Sequence, residues 1–473
     1  MKRTLIRGGH ILSMDPNIGE LPVGDILVEG DVIVEVAPSI EAGDAEIIDA
    51  SGHIVTPGLI DTHKHLWQTP LRGSMADTTL FGYLCGVRFN AAAAFQPADV
   101  RLGTQLGALE ALNAGQTTVL DFSHCVNTPD HADAALEGLI AAGIRAVLCY
   151  GFFECVPHAP LYFPDVDARV RDFQRFADTH FSGDPGLVTL GVALSEVGSV
   201  PLSSTRKEIA AARERGALIV THTGCAWGFP NAIKELEEQN LLGSDQVHVH
   251  CNALYDDEWA LLAKAGAKVS ISVEAELNSG LGRPPFAPCA RHEIKPTLSC
   301  DSNALVKGEL LTQARMALAF KRWEDTEPLN LARKDPLEVS TTAYEALEWC
   351  TINGAEALGL QDSIGSLTPG KQADILIIGG PSSLGHHPRT HAAGAVVFQT
   401  GASDIRAILV GGRVVKRDGA LVGVDLPKLL QQVDQAALDI KERGEAMNLE
   451  GAPQSAGDIQ DLLKMGLANL QNV

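Results

Sequence analysis

Between residues 58 and 360 the chain alternates short apolar runs with longer stretches whose apolar residues recur at helical spacing. The runs fall at 54–65, 117–124, 145–151, 187–196, 218–222, 246–250, 268–274 and 297–301. Several are apolar nearly throughout, the pattern of parallel strands buried on both faces. Helices are predicted between them at 97–113, 131–142, 165–180, 204–215, 231–242 and 256–265, with another after the eighth run at 305–323. Asp130 and Gly143 supply start and stop signals for the second of these. Only 278–292, after the seventh run, lacks a clear helical pattern. Eight such alternations predict an α/β protein centred on a closed (β/α)8 TIM barrel rather than an open doubly wound sheet.

The two ends have another texture. β-Branched residues broken by Gly, Pro and Asp occur at 3–13, 25–29, 32–36 and 46–49, and again at 374–379, 395–400 and 405–415. They predict one small composite β-sandwich domain, built from 1–57 plus 362–425 and set on a barrel of 58–361. A helix or pair of helices at 340–360 leads back from the barrel. Helical patterns at 426–445 and 459–472 form a C-terminal extension, 426–473, placed over the barrel base or against another subunit. His386, His387 and His391, in a Gly/Pro-rich loop, read as solvated.

Charge narrows the range of partners. Lys and Arg number 37 against 59 Asp and Glu, a net charge of −22 over 473 residues. A field of that sign repels phosphate backbones and anionic lipid, so neither nucleic acid nor a membrane is expected as partner. No run of apolar residues is long enough to span a bilayer. The basic start Met1-Lys2-Arg3 has no apolar core behind it and is not expected to be a secretory signal. The nine cysteines are scattered, without a CxxC pair, as in a cytoplasmic protein with reduced thiols. A small-molecule substrate is the expected partner.

The ends of the predicted barrel strands carry the polar residues. The first ends in His63-Lys64-His65, the second in His124, the fourth in Glu196 and the fifth in His222. The sixth ends in His250, the seventh in Glu274 and Glu276, and the eighth in Asp301. Active sites of this fold sit at the C-terminal ends of the strands. His63 and His65, two apart on a strand, point the same way, with Lys64 on the opposite face. Neutral imidazoles with a carboxylate suit Zn²⁺ or Fe²⁺, and a coordination position left open makes such a site catalytic.

The segment Pro57-Gly58-Leu59-Ile60-Asp61-Thr62-His63-Lys64-His65 resembles the opening signature of the amidohydrolase superfamily. Leu298-Ser299-Cys300-Asp301-Ser302 is similar to its strand-eight aspartate segment, and Leu367-Thr368-Pro369-Gly370-Lys371-Gln372-Ala373-Asp374 to the return into its β domain. The resemblance covers residues 1 to about 420 and is greatest for the cytosine deaminase, adenosine-type deaminase and triazine hydrolase branch. It implies that His63, His65, His222 and Asp301 hold one divalent metal ion, zinc or iron, and that His250 acts beside it. It also implies a homo-oligomer, a dimer or tetramer.

Two positions depart from the family pattern. The proton-handling Glu expected three residues after His222 is replaced by Cys225, and no Lys lies at 187–195 to bridge a second metal. Either Glu274 or Glu276 replaces the missing acid, or Asp301 and His250 manage both proton transfers. His124, Glu196, Cys225 and Trp67 are the candidate substrate contacts; Glu196 is also the candidate bridge to a second metal, and Cys225 a candidate packing residue. The expected reaction is attack by a metal-bound hydroxide on a C–N bond of a small cyclic or heteroaromatic substrate, with ammonia released. The alternatives are hydrolysis of a cyclic amide, urea, carbamate or C–Cl bond, and, from another class, a catalytically retired relative that binds a small molecule.

Overall fold

The computed structural model describes residues 2–152, 162–183, 186–225, 232–447, 455, 457 and 458. The predicted helix at 459–472 and Cys155 lie outside them. Five strands open the chain: β1 (Arg3–Leu12), β2 (Glu20–Glu29), β3 (Val32–Ala37), β4 (Glu46–Asp49) and β5 (His53–Pro57). Eight follow: β6 (Leu59–Lys64), β7 (Gln116–Ser123), β8 (Arg145–Gly151), β9 (Val188–Ala193), β10 (Leu218–Thr223), β11 (Gln246–His250), β12 (Lys268–Ile271) and β13 (Pro296–Leu298). The last four are β14 (Ile375–Gly379), β15 (Ile405–Val410), β16 (Arg413–Arg417) and β17 (Ala420–Leu421).

Strands β6 to β13 pair in parallel in sequence order, with helices between them. The ring is closed by His65 N–H to Asp301 O at 2.9 Å and Asp301 N–H to His63 O at 3.1 Å. Ile60, Leu120, Phe122, Val147, Val220 and Val249 pack inside the barrel, whereas Leu59, Val119, Leu148, Ile219 and Val269 join the core under the helices. Burial of both faces is why these strands read as continuous apolar runs. Beside the closing seam the interior is polar. Thr62 Oγ1 lies 2.7 Å from Ser270 Oγ and 2.8 Å from Thr297 Oγ1.

The chain ends meet in one nine-stranded sheet, ordered β17-β16-β15-β14-β5-β1-β2-β3, with β4 beside β1. Ile6, Ile26, Val55, Ile375, Ile377 and Leu409 share its core. A bridge from Val32 to Gln372 and the bond from Ile33 N–H to Lys371 O (2.8 Å) fold its far edge back on the return segment.

Four local expectations change. The run at 54–65 is two strands, broken at Gly58, where the chain leaves the sheet for the barrel; a Cβ there would lie 1.9 Å from Thr117 Oγ1. Of residues 395–400, the first five belong to a helix, Ala392–Gln399, because His391 Nδ1 accepts from Gly394 N–H at 2.8 Å and caps its start. Its buried Ala392, Ala393, Val396 and Val397 recur at helical spacing. The seventh barrel strand stops at Ile271, and a short helix, Val273–Asn278, carries Glu274 and Glu276; a second short helix, Phe286–Arg291, occupies the stretch expected to lack one. His386 is buried beside Thr400 rather than solvated, with Nε2 3.2 Å from Thr400 Oγ1.

The C-terminal helix Leu426–Ala446 packs on the Pro97–Asn113 helix and on the segment between β6 and that helix. Arg443 fastens it there, donating to Ala94 O at 2.8 Å and pairing with Asp99. It therefore braces a wall of the barrel mouth instead of covering the base. Among the described residues no helix is long and apolar enough to cross a membrane.

Barrel and sheet are joined by a buried fork. Arg145, at the start of β8, donates to both carboxylate oxygens of Asp374 at 2.9 and 3.0 Å, and Asp374 also accepts from Gly411 N–H at 2.7 Å. Removing one partner leaves a buried charge uncompensated, a loss of roughly 3–5 kcal/mol. Asp374→Ala is therefore expected to lower the urea midpoint of unfolding by that equivalent, and Asp374→Asn, which keeps some of the bonds, by less.

Candidate metal centre and active site

Strand alternation sends the His63 and His65 rings to the same side, with centroids 4.6 Å apart. His222 comes from β10, His250 is the last residue of β11, and Asp301 follows β13. Asp301 Oδ1 lies 3.5 Å from His63 Nε2 and 3.4 Å from His65 Nε2, and His222 Nε2 is 3.3 Å from His63 Nε2. His63, His250 and Asp301 form a second convergent group sharing two of these ligands. His250 and Asp301 both adopt left-handed backbone, at φ 73° and 59°. Non-glycine residues are held there only when their surroundings compel it, a feature common at functional sites.

Hydrogen bonds on the far side of His65, His222 and His250 orient those rings, whereas His63 Nδ1 has no partner among the described residues. His65 Nδ1 is 3.0 Å from the carbonyl of Phe122, which can only accept, so Nδ1 carries the proton and Nε2 presents a lone pair. His222 Nδ1 is 2.6 Å from Glu196 Oε1, and His250 Nδ1 is 3.1 Å from Glu276 Oε1. Burial holds His63 and His65 well below the usual imidazole pKa, with neighbouring imidazoles adding to the effect. The Nε2 atoms of His63, His65 and His222 thus converge with the Asp301 carboxylate in a buried pocket, the arrangement of ligands around a cation. Three imidazoles, a carboxylate and outer carboxylate partners are the donor chemistry of a catalytic divalent metal, and the residues fit one. Burial works against charging His250, but the hydrogen bond to Glu276 and the charges of Asp301, Glu276 and Glu196 outweigh it and raise its pKa.

Behind the centre lies a buried charge cluster that pattern reading did not reveal. Lys64 is fully buried, and among the described residues its Nζ has no hydrogen-bond partner. Its charge acts on Asp61, Glu110 and Asp121. Asp61 accepts from the N–H groups of His63 (3.3 Å) and Cys300 (3.2 Å), and Asp121 from that of Leu66 (3.1 Å). Glu110 accepts from Asn303 Nδ2 at 2.8 Å. Asp61 and Asp121 therefore grip the backbone at His63, just after His65 and just before Asp301, and Glu110 holds the Asn303 side chain just beyond it. Burial pushes the Asp121 carboxyl up to about 7, against the pull of the Leu66 amide and Lys64. The signal was Lys64 itself, an ammonium on the side of β6 opposite two candidate ligands.

A cavity of about 670 Å³ opens over the centre. His65, His124, Glu196, His222, Cys225, His250 and Asp301 line it. Four expected site residues do not: His63, Trp67, Glu274 and Glu276. Glu274 sits on the helix after β12 and turns outward, accepting from Gln313 Nε2 at 2.9 Å. Trp67 is fully buried behind His124, to whose Nδ1 its indole N–H donates at 3.0 Å. Glu276 is also fully buried. It faces His250 from behind and accepts from Ser272 N–H at 2.8 Å, so it does not border the cavity. The Cys225 thiol is kept protonated by burial and by the charge of Glu196. The cavity also holds Tyr83, Arg88 and Glu208, none of which the sequence pattern singled out. Burial pushes the Glu208 carboxyl up to about 7 although Ser195 donates to it through N–H (3.0 Å) and Oγ (2.8 Å).

The amidohydrolase family matches residues 54–415. The 5-methylthioadenosine/S-adenosylhomocysteine deaminase of Symbiobacterium thermophilum is 30% identical over 470 residues, covering 92% of this chain and 99% of its own. The 5'-deoxyadenosine deaminase of Methanosarcina barkeri is 26% identical over 456 residues, covering 94% and 99%. Among solved structures, a zinc-bound adenosine deaminase from Xanthomonas campestris superposes with a TM-score of 0.81 at 22% identity, covering 93% of this chain and 98% of that one. An atrazine chlorohydrolase variant from Arthrobacter aurescens, complexed with zinc and atraton, gives 0.82 at 22% identity, covering 92% and 100%.

Outer partners of metal-bound histidines typically contribute about 10–100-fold to metal affinity. Glu196→Gln, which weakens the bond to His222, is expected to lower metal affinity by that factor in a chelator competition. Glu274→Gln is expected to leave it unchanged.

Proposed function

The chain belongs to the amidohydrolase family, and from that premise we propose that it is a zinc-dependent aminohydrolase that removes an exocyclic amino group from a small heteroaromatic ring. As a member of that family it is a metal-dependent hydrolase of C–N bonds acting on a small molecule. The observation that carries the proposal is the convergence of the imidazole Nε2 atoms of His63, His65 and His222 and the Asp301 carboxylate at the floor of a cavity of about 670 Å³, a size that suits a small organic substrate. The relatives named as deaminases of 5'-deoxyadenosine and 5-methylthioadenosine put 6-aminopurine nucleosides first among candidate substrates.

His63, His65, His222 and Asp301 would hold the metal, which when bound supplies a Lewis acid that lowers the pKa of water beside it toward ~7. Asp301 takes the proton as the water oxygen bonds to the ring carbon. His250, steadied by Glu276, donates to the charge that develops there. The proton held by Asp301 passes to the departing nitrogen, so the C–N bond breaks and ammonia leaves. Because the Cys225 thiol stays protonated and Glu274 faces away, Asp301 and His250 carry both transfers. Glu196 is bound to His222 Nδ1, which favours one metal ion over a bridged pair. The eight described cysteines are all free thiols, which supports a reducing, cytoplasmic location. A homo-oligomer completes the reading, with sedimentation velocity as its check.

Elemental mass spectrometry of the purified protein is expected to find about one zinc per chain. The metal-loaded enzyme is expected to release ammonia from one or more of a panel comprising adenosine, 5'-deoxyadenosine, 5'-methylthioadenosine, cytosine and aminotriazines. Ring opening of a cyclic amide without ammonia would replace this reading. Asp301→Asn is expected to abolish turnover, and Glu276→Gln to lower kcat by about 10²-fold through loss of the His250 orientation.

A further inference from the structure

One hydroxyl in the cavity wall is oriented by a directional chain of hydrogen bonds. Ala304 N–H donates to Ser302 Oγ at 3.0 Å. The Ser302 hydroxyl passes its own hydrogen to Gln68 Oε1. That contact turns the other end of the amide toward the phenol, and Gln68 Nε2 donates to the Tyr83 hydroxyl oxygen at 2.6 Å. A phenol oxygen that accepts in this way has one hydrogen left to give. Tyr83 lines the cavity over Asp301, and the charges of Asp301 and Glu196 both act on its hydroxyl. Burial, reinforced by those charges, keeps the phenol protonated. The eight residues after it, Leu84–Ala91, form a π-helix, a winding that recurs at functional sites.

We propose that Tyr83 is a catalytic residue of the deamination, its hydroxyl donating a hydrogen bond to the ring nitrogen adjacent to the carbon under attack. As the water oxygen bonds to that carbon, the ring's electron pair moves onto the nitrogen, and the Tyr83 hydrogen bond stabilises it there. The pair returns when the C–N bond breaks and ammonia departs with the proton from Asp301. Gln68 and Ser302 are positioning residues that aim the phenol. The substrate therefore carries its amine on a carbon next to an unprotonated ring nitrogen, as in 6-aminopurines and aminotriazines, and not on a carbocyclic ring. The inference rests on the deaminase reading of the same site.

Tyr83→Phe and Gln68→Met are tested in the zinc-loaded, full-length enzyme with the 6-aminopurine nucleoside that the wild type turns over fastest. Loss of a donor to developing charge costs about 10²–10³-fold in kcat. Tyr83→Phe is expected to lose that factor with KM within threefold and with unchanged zinc content and circular dichroism; Gln68→Met is expected to lose less. Inhibition by the purine riboside and by its 1-deaza analogue, which lacks the acceptor nitrogen, supplies a readout separate from turnover. The wild type is expected to prefer the purine riboside at least tenfold, and either variant to lose most of that preference. A Tyr83→Phe enzyme with wild-type kcat, or an undiminished preference in Gln68→Met, overturns the assignment of Tyr83. Absence of ammonia from every panel compound with the wild type overturns the deaminase reading itself, and the role of Tyr83 with it.

Discussion

Two backbone hydrogen bonds, from His65 N–H to Asp301 O and from Asp301 N–H to His63 O, close the barrel through the residues that converge on the candidate metal. Shutting the ring and assembling the site are therefore one event. The closing strand, Pro296–Leu298, has only three residues, too few to make a long ladder. Side chains supply the rest. Thr62 Oγ1 donates to Leu298 O at 3.0 Å, and the Thr62, Ser270, Thr297 and Ser299 hydroxyls are joined through the interior. Outside the seam, Asp61 binds the backbone on both sides of it.

The same seam concentrates electrostatic cost. Asp61, Asp121 and Lys64 are all fully buried, and an isolated buried charge is expensive. Around Lys64 the carboxylates offset that cost mutually, and Asp61 and Asp121 also secure backbone near the ligands. On the other side of β6, the Nε2 atoms of His63, His65 and His222 and the Asp301 carboxylate crowd together. Opposite charges meet behind the ligands and metal-ligating atoms converge in front. That asymmetry prepares a cation site before any cation arrives, and left-handed backbone at His250 and Asp301 is part of what it takes to hold it.

Sequence periodicity carried the expectations about fold a long way because each buried strand must be apolar on both faces. It failed where a local pattern has two physical outcomes. Residues 395–400 have β-branched character, yet the cap at His391 and packing against neighbouring helices make the first five helical. The run at 54–65 looks continuous because both its halves are buried, although they belong to different sheets. Glu274 and Glu276 are two apart and would share a face on a strand. On the helix that forms instead they diverge, one toward Gln313 and the other toward His250.

What the sequence determined by itself was the order of barrel strands, the joining of the two ends in one sheet and the placing of imidazoles and carboxylates at strand ends, because strand period and residue type are properties of neighbouring residues. Tertiary structure alone decided which nitrogen of His65 faces inward, that Trp67 stands behind His124, and that Gln68 donates to the Tyr83 hydroxyl at the cavity wall. Those outcomes depend on hydrogen-bond partners far along the chain: Phe122 lies 57 residues from His65, and Ser302 lies 234 from Gln68. A hydrogen bond has a direction only once both its ends are in place, and folding of the barrel is what puts them there.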